Sequence, residues 1–246
     1  QLRTKVMVQQ VAVQTDGGFV VDGRGLDQPL KARNVMLATG GHPSGRMLAE
    51  SLGHQVIPPV PSLFGLSLHS KALAACSGIA VDDVGLDLKI GNQRFRQTGR
   101  VLITHRGLSG PATLRLSAFA ARALHQSHYK GELKLDWSAG LARRGVEEML
   151  RQWRLDKARR TLASANPFEH LPRRLWQAFL SDVDVDGERR WADLPLKAER
   201  QLAEILCSQR LLIQGRGPFG EEFVTAGGVD LGEVNLATME SRRCTG

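Results

Sequence analysis

Two glycine-containing segments lie near opposite ends of the 246-residue chain. Residues 39–41 (Thr-Gly-Gly) follow an apolar run, and residues 225–228 (Thr-Ala-Gly-Gly) follow a second β-prone run. Because glycine has no side chain, a ligand can approach the main chain closely at such points. For residues 39–41 a simple glycine turn is an equally good interpretation. The second segment continues into Thr-Met-Glu-Ser at 238–241, and this longer pattern is more specific for a planar ring.

A third segment, residues 107–111 (Gly-Leu-Ser-Gly-Pro), precedes a predicted helix that begins at Pro111. Main-chain N–H groups at a helix start can hold an anion, and Ser109 is the predicted cap. A capped helix with a purely structural role is the alternative, and we favour it. His105, Glu222 and Glu240 are candidate acids or bases, although each is more readily explained as a structural residue.

The elements that position the end segments follow from the hydrophobic pattern. Residues 4–22 predict two strands with a bulge or a bend at Gln9 and Gln10. Residues 30–38 predict a third strand, whose apolar end is typical of burial on both faces. A short helix is predicted for residues 45–52, ended by Gly53.

Residues 63–104 predict a small antiparallel sheet or barrel, with strands at 63–68, 84–90 and 101–104. Further strands are predicted at 131–137, 211–214 and 222–225, and helices begin at Pro111 and cover 143–163, 172–181 and 197–208. The first helix has an apolar face of Leu114, Leu116, Phe119, Ala120 and Leu124. The prolines at positions 58, 59 and 61 predict an extended linker and a domain boundary.

The net charge of +8 raises the possibility of a nucleic-acid partner. The predicted helices carry a series of cations: Arg143, Arg144, Arg151, Arg154, Lys157, Arg159, Arg160, Arg173 and Arg174. These cations suit a nucleic-acid-binding module, but a solvated basic face is the interpretation that we favour. The three cysteines form no CxxC pair, which disfavours a disulfide framework or a zinc site. No signal peptide or membrane-spanning run is visible, so we expect a cytoplasmic protein.

In this order, the three glycine segments resemble those of the HI0933-like flavoproteins. Residues 171–176 (Leu-Pro-Arg-Arg-Leu-Trp) also match a helix start of that family, and the resemblance covers nearly the whole chain. It implies an α+β / α/β fold in which a Rossmann-like FAD-binding domain is interrupted by an inserted domain. Residues 1–41 and 225–246 would be a partial FAD-binding domain, and residues 42–224 the inserted β-barrel and helices.

The resemblance also implies an FAD-dependent oxidoreductase with NAD(P)H as the electron donor. Its substrate would be a small molecule or a base in structured RNA. The implied cofactor-binding residues are Val11 at the adenine end, then Thr39, Gly40, Gly41, Ala226, Gly227 and Gly228 near the flavin. The resemblance assigns no catalytic residue and no metal ligand.

The sequence departs from the family pattern at both ends. The Gly-x-Gly-x-x-Gly turn that would hold the pyrophosphate is not present, and the sequence stops at Gly246, before a second glycine-rich stretch. We therefore expect a fragment that by itself binds FAD poorly or not at all. The alternative function is a basic nucleic-acid-binding module without catalysis of its own.

Overall fold

A computed structural model describes residues 2–217 and 224–246, and the chain divides into two compact units. Unit 1 joins Gln1–Val60 with Phe223–Gly246, and unit 2 is Pro61–Glu222. The sequence predicts that the inserted domain begins at residue 42, whereas residues 42–60 belong to unit 1 in the structure. That unit 1 is an FAD-binding domain stays a prediction.

The described residues form thirteen strands and seven α-helices, numbered in chain order. The strands are β1 Met7–Val13, β2 Phe19–Arg24, β3 Leu30–Ala32, β4 Val56–Pro61, β5 Leu66–Leu68, β6 Ala80–Ile90, β7 Gln93–Thr104, β8 Gly107–Ser109, β9 Gly131–Asp136, β10 Gln209–Arg216, β11 Thr225–Val229, β12 Val234–Asn235 and β13 Glu240–Ser241. The α-helices are α1 Pro43–Ser51, α2 Lys71–Ala75, α3 Pro111–Phe119, α4 Ala121–Gln126, α5 Arg143–Asp156, α6 Arg173–Asp182 and α7 Leu196–Ser208. None of these described helices is long and apolar enough to cross a bilayer.

Unit 1 begins with the antiparallel sheet β1-β2-β3. Its register shifts between Val8 and Gln10, which confirms the bulge predicted there. Val11, Phe19 and Leu48 form a small buried core between this sheet and α1. Helix α1 ends one residue before the predicted position, and Gly53 follows with a φ of 87°.

The prediction of a strand over residues 30–38 is wrong beyond Ala32. Met36 is 86% exposed, and Leu37 is exposed as well. A strand buried on both faces needs paired neighbours and a layer on each side. No described residue forms a strand beside residues 35–38; the Val35 N–H instead donates to the carbonyl of Gly246.

Unit 2 contains a closed six-stranded barrel in the order β10-β5-β8-β7-β6-β9, with antiparallel neighbours throughout. Side chains alternate along β6, where Val84, Leu86 and Leu88 point into the core. This alternation is the period-2 pattern that predicts strands. The predicted barrel with helices is therefore confirmed, although β8, β9 and β10, which lie beyond residue 104, also belong to it.

Helix α3 begins at Pro111 as predicted, but two details of that prediction are wrong. Ser109 is not the cap, because it ends β8 opposite Leu102, and the cap position belongs to Gly110, which has a φ of 91°. Phe119 is 71% exposed rather than part of the apolar face. The buried side chains follow the four-residue row 116, 120 and 124, and Phe119 lies outside that row.

The helices of unit 2 cover a core that contains three fully buried tryptophans. Trp176 and Trp191 stack with ring centroids 6.2 Å apart and an interplanar angle of 15°. Each indole N–H has an acceptor: Trp137 donates to Gln209 Oε1, and the other two donate to main-chain carbonyls. Since these polar groups are paired, burial of the rings carries no uncompensated polar cost.

Candidate functional site

Residues 39–41 form an exposed turn immediately before α1. The His42 N–H donates to the Thr39 carbonyl at 3.3 Å, and Gly40 has a φ of 58°. A Cβ atom added at Gly40 or Gly41 would meet no other atom within 4 Å. The main chain here therefore borders open space, where a ligand can approach it closely.

A neighbouring glycine supports this turn from within the helix. A Cβ atom at Gly45 would collide with the Thr39 hydroxyl. Arg46 donates to the Gly41 carbonyl at 2.9 Å, so α1 also holds the end of the turn. Because Gly45 has no side chain, the Thr39 side chain can pack against the first turn of α1.

The second glycine segment lies in β11, which pairs with β4. Gly227 has a φ of 142°, and its Cβ would lie 2.7 Å from the Pro59 Cα and 2.9 Å from the Ile57 carbonyl oxygen. Strand pairing therefore explains Gly227 without a ligand. Gly228 has a φ of 123°, but a Cβ there would meet nothing within 4 Å, as at Gly40.

Both glycine segments belong to unit 1, and α1 connects them, since it starts after Gly41 and contacts β11. Open main chain at Gly40, Gly41 and Gly228 fits close approach by a planar cofactor. Ala226 is half-buried in β11, beside Gly227. These are the features of the structure that fit FAD.

Val11 was predicted to contact the adenine end of the cofactor. Its side chain is 4% exposed and packs with Phe19 and Leu48, while its main chain lies opposite Val21. Almost no surface of the side chain is available to a ligand. The adenine contact stays a prediction that the burial of Val11 does not support.

The candidate acids and bases lie on exposed surface or outside the described residues. His105 is exposed in the turn between β7 and β8, where it lines a 170 Å³ groove with His69 and Lys71. Glu240 is exposed and accepts a hydrogen bond from Thr238 Oγ1 at 2.9 Å. Glu222 lies outside the described residues.

The glycines of residues 107–111 have structural explanations. A Cβ at Gly107 would collide with the Leu66 carbonyl oxygen in β5, and one at Gly110 would lie 2.7 Å from the Leu102 nitrogen in β7. Both glycines are therefore required by close packing of the barrel, which favours the structural interpretation over an anion site. Among the described residues, no group of His, Cys, Asp and Glu side chains could hold a metal ion.

A polar network in unit 1 was not anticipated. Glu233 is its centre: one carboxylate oxygen lies 3.0 Å from His54 Nδ1 and accepts the Gln55 N–H at 2.9 Å, and the other accepts Arg243 Nε at 2.5 Å. His54 Nε2 lies 3.0 Å from Ser241 Oγ. Burial would raise the pKa of Glu233, but the bonds from Gln55, His54 and Arg243 together hold that pKa below its usual value.

A serine, a histidine and a carboxylate hydrogen-bonded in a row also occur in nucleophilic hydrolases. Here the same arrangement has a structural role. Ser241 Oγ accepts two main-chain N–H bonds, from Arg243 at 2.9 Å and Cys244 at 2.8 Å. The network therefore fastens residues 241–244 to the connection between α1 and β4. His54 is 179 residues from Glu233, so sequence spacing gave no signal for the pair.

Comparison with known proteins shows the family. The family model described as "HI0933-like protein barrel and H2TH domain" matches residues 60–224, which is more than half of the chain. The chain therefore belongs to the HI0933-like family, as its glycine segments indicated.

Individual relatives are named as enzymes. The chain is 27% identical over 264 residues to the ribosomal RNA dihydrouridine synthase of Escherichia coli K12, covering all of this chain and 59% of that protein. It is 28% identical over 263 residues to the 3-dehydro-bile acid delta(4,6)-reductase of Clostridium scindens, covering all of this chain and 61% of the relative.

A third relative is the ribosomal RNA dihydrouridine synthase of Haemophilus influenzae, 28% identical over 226 residues, with coverage of 88% of this chain and 52% of that protein. The chain thus spans about half to three-fifths of the length of these relatives. Their names support a family of oxidoreductases.

Proposed function

We propose that the protein is a cytoplasmic FAD-dependent oxidoreductase that takes reducing equivalents from NAD(P)H. The observation that carries the proposal is the open main chain at Gly40, Gly41 and Gly228, in one unit of a chain from an oxidoreductase family. When bound, FAD supplies the hydride chemistry, and the protein orients it and limits the access of water.

In this proposal each glycine segment has a defined task. Residues 39–41 offer main chain to the cofactor, and α1 fixes their position through Gly45 and Arg46. Gly228 offers main chain from β11, whereas Gly227 keeps β11 close to β4. The hydrogen bonds around Glu233 and His54 fix the position of residues 241–244. No side chain is assigned as a proton donor.

For the substrate we propose a base in structured RNA. Two relatives are named for ribosomal RNA, and the net charge of +8 suits a polyanion. A small organic substrate is the alternative, supported by the name of the bile-acid reductase. A nucleic-acid-binding module without catalysis is the second candidate function, favoured by the charge alone.

Titration with FAD, followed by visible absorption, tests the cofactor. Because the 246 residues span about half to three-fifths of the length of the relatives, the titration uses the protein extended at both ends. Gly41→Leu is the most informative variant, because Gly41 borders open space and has no left-handed φ, so the fold tolerates a side chain there. A side chain in an occupied contact costs about 1–3 kcal/mol, so we expect roughly tenfold weaker binding or more.

Gly145→Leu is the matched control. Gly145 lies in α5, also borders open space and also lacks a left-handed φ, so this variant should bind FAD like the wild type. Extended wild-type protein that shows no flavin binding would contradict the proposed cofactor. Equal FAD affinity in Gly41→Leu and Gly145→Leu would instead reject the placement of the site at residues 39–41.

A further inference from the structure

Two segments of unit 2 that are distant in sequence run antiparallel just after α5. Thr161 and Arg190 form a β-bridge, and the Leu162 N–H donates to the Arg189 carbonyl at 2.9 Å. The Trp191 N–H donates to the Arg160 carbonyl at 3.0 Å. Since paired segments lie about 5 Å apart, this arrangement puts two pairs of consecutive arginines side by side.

We call the cations of these two segments the basic ladder. It consists of Lys157, Arg159, Arg160, Arg189 and Arg190. All five side chains belong to exposed residues, and within residues 2–217 and 224–246 none has a carboxylate at ion-pair distance. By contrast, Arg94 and Arg143 each have carboxylate partners. A cation without such a partner can meet a phosphate without first breaking an ion pair.

Four acids occur in or next to the same segments, and two of them accept hydrogen bonds from neutral donors. Asp156 accepts a hydrogen bond from Gln152 at 3.0 Å, and Asp186 accepts the Glu188 N–H at 3.0 Å. Glu188 and Asp193 are the remaining exposed acids. All four acids keep their charge, so the five cations of the ladder exceed the nearby carboxylates by one. Because the arginines are paired side by side, we expect anions to bind at the arginine pairs rather than evenly over the surface.

Two buried tryptophans fix the main chain that carries the basic ladder. Trp191 is fully buried and donates to the Ala165 carbonyl at 3.0 Å, and Trp176 donates to the Leu162 carbonyl at 2.8 Å. Lys157 Nζ lies 5.8 Å from the centre of the Trp153 ring. A main chain fixed in this way lowers the ordering cost of binding.

We propose that the basic ladder binds the phosphate backbone of RNA. Four of its five cations are arginines, whose planar guanidinium groups donate in pairs to phosphate oxygens. The inference rests on the RNA substrate class of the proposed function and names the surface that holds that substrate. Such contacts position the nucleic acid and carry no base sequence information.

The test is the binding of a fluorescein-labelled RNA stem-loop, measured by fluorescence anisotropy over a series of salt concentrations. The variant is Arg159→Gln, Arg160→Gln, Arg189→Gln and Arg190→Gln combined. We expect roughly tenfold weaker binding or more near physiological salt, and a salt slope that falls by about 0.7–0.9 for each phosphate that the variant no longer neutralises. Replacement of the same four arginines by lysine should retain most of the affinity.

The matched control removes the same charge from exposed positions of unit 1: Arg3, Arg24, Arg33 and Arg242, each changed to Gln. An equal loss of affinity in this control would overturn the proposal, because net charge alone would explain the binding. So would wild-type protein that binds anionic lipid vesicles but not RNA. Urea unfolding of each variant, together with the lysine variant, distinguishes weaker RNA contact from loss of the folded state.

The outcomes also separate this inference from the proposed function. Ladder variants that bind RNA like the wild type, in a protein that binds FAD, reject only the ladder. RNA binding that depends on the ladder, in a protein that fails the FAD titration, keeps the ladder and rejects the flavoenzyme. Wild-type protein that binds no RNA at low salt rejects both the ladder and the RNA substrate, but leaves the cofactor proposal standing.

Discussion

The two units of the chain differ in what stabilises them. Unit 2 has one large apolar cluster that includes the barrel interior and three fully buried tryptophans. Among the described residues of unit 1, the apolar cluster is small, with Val11, Phe19 and Leu48 as its buried members, and the unit also has short strand pairs and the Glu233 network. Because stabilisation by burial scales with the apolar area buried, unit 2 gains more stability from its hydrophobic core than unit 1 does.

The glycines of the segments that the sequence singled out also differ. In unit 2, Gly107 and Gly110 are required because a Cβ atom would collide with neighbouring strands. In unit 1, Gly40, Gly41 and Gly228 border open space, and for Gly41 the backbone conformation does not require glycine either. Open space alone does not identify a ligand contact, since Gly145 in α5 also borders open space, so the comparison of Gly41→Leu with Gly145→Leu decides.

The largest effect on stability is expected from the core of unit 2. Trp176→Ala removes a fully buried ring and its hydrogen bond to Leu162, so we expect a loss of about 3–5 kcal/mol in the free energy of unfolding, measured with urea. Phe119→Ala is the control, because that ring is 71% exposed and its removal should change stability by less than about 0.5 kcal/mol. Similar losses in the two variants would contradict the difference in burial between the two rings.

An intermediate effect is expected from the ion pair between α5 and α7. Arg154 Nη1 lies 3.1 Å from Glu199 Oε2, with side-chain exposures of 21% and 8%. Glu199→Ala leaves the guanidinium without this carboxylate, which in a buried pair costs about 3–5 kcal/mol; since Arg154 still reaches water, we expect about 2–3 kcal/mol in urea unfolding.

The exposed pair within α5 provides the comparison. Glu148 and Arg151 have side-chain exposures of 63% and 58%, so Glu148→Ala should cost at most about 0.5 kcal/mol. If Glu148→Ala were as costly as Glu199→Ala, burial would not be what distinguishes the two pairs.

The sequence predicted the barrel well because period-2 alternation is a local signal, as in β6. It failed for residues 35–38, where an apolar run looked like a strand but has no neighbouring strand among the described residues. It also extended α5 to residue 163, although the helix ends at Asp156 and the chain then pairs with the segment around Arg190. Strand pairing and helix ends depend on tertiary neighbours, which local patterns do not contain.

Some features of the candidate site were likewise predictable from the sequence, and others required the fold. The glycine segments were visible because residue type alone indicates them, but the different roles of Gly227 and Gly228 depend on where β4 lies. The juxtaposition of Arg159 and Arg160 with Arg189 and Arg190 required the bridge at Thr161. The pairing of His54 with Glu233 likewise required the folded unit 1.

The smallest effect on stability is expected in unit 1, from Glu233→Gln, since an amide oxygen can still accept the Gln55 N–H. The pKa of Glu233 is lower in the folded protein than its ordinary value of 4.5, so the ionised form contributes stability above that pH. The contribution is lost as pH falls through the folded pKa.

Urea unfolding of unit 1 between neutral pH and about pH 3 should therefore show a decline that Glu233→Gln reduces. Glu240→Gln is the matched control, because Glu240 is exposed and its carboxylate pairs only locally with Thr238 in the described chain, so it should keep the wild-type pH dependence. An unchanged acid decline in Glu233→Gln would mean that the network does not stabilise unit 1. Unit 1 would then depend on its small apolar core and strand pairs, which would widen its contrast with unit 2.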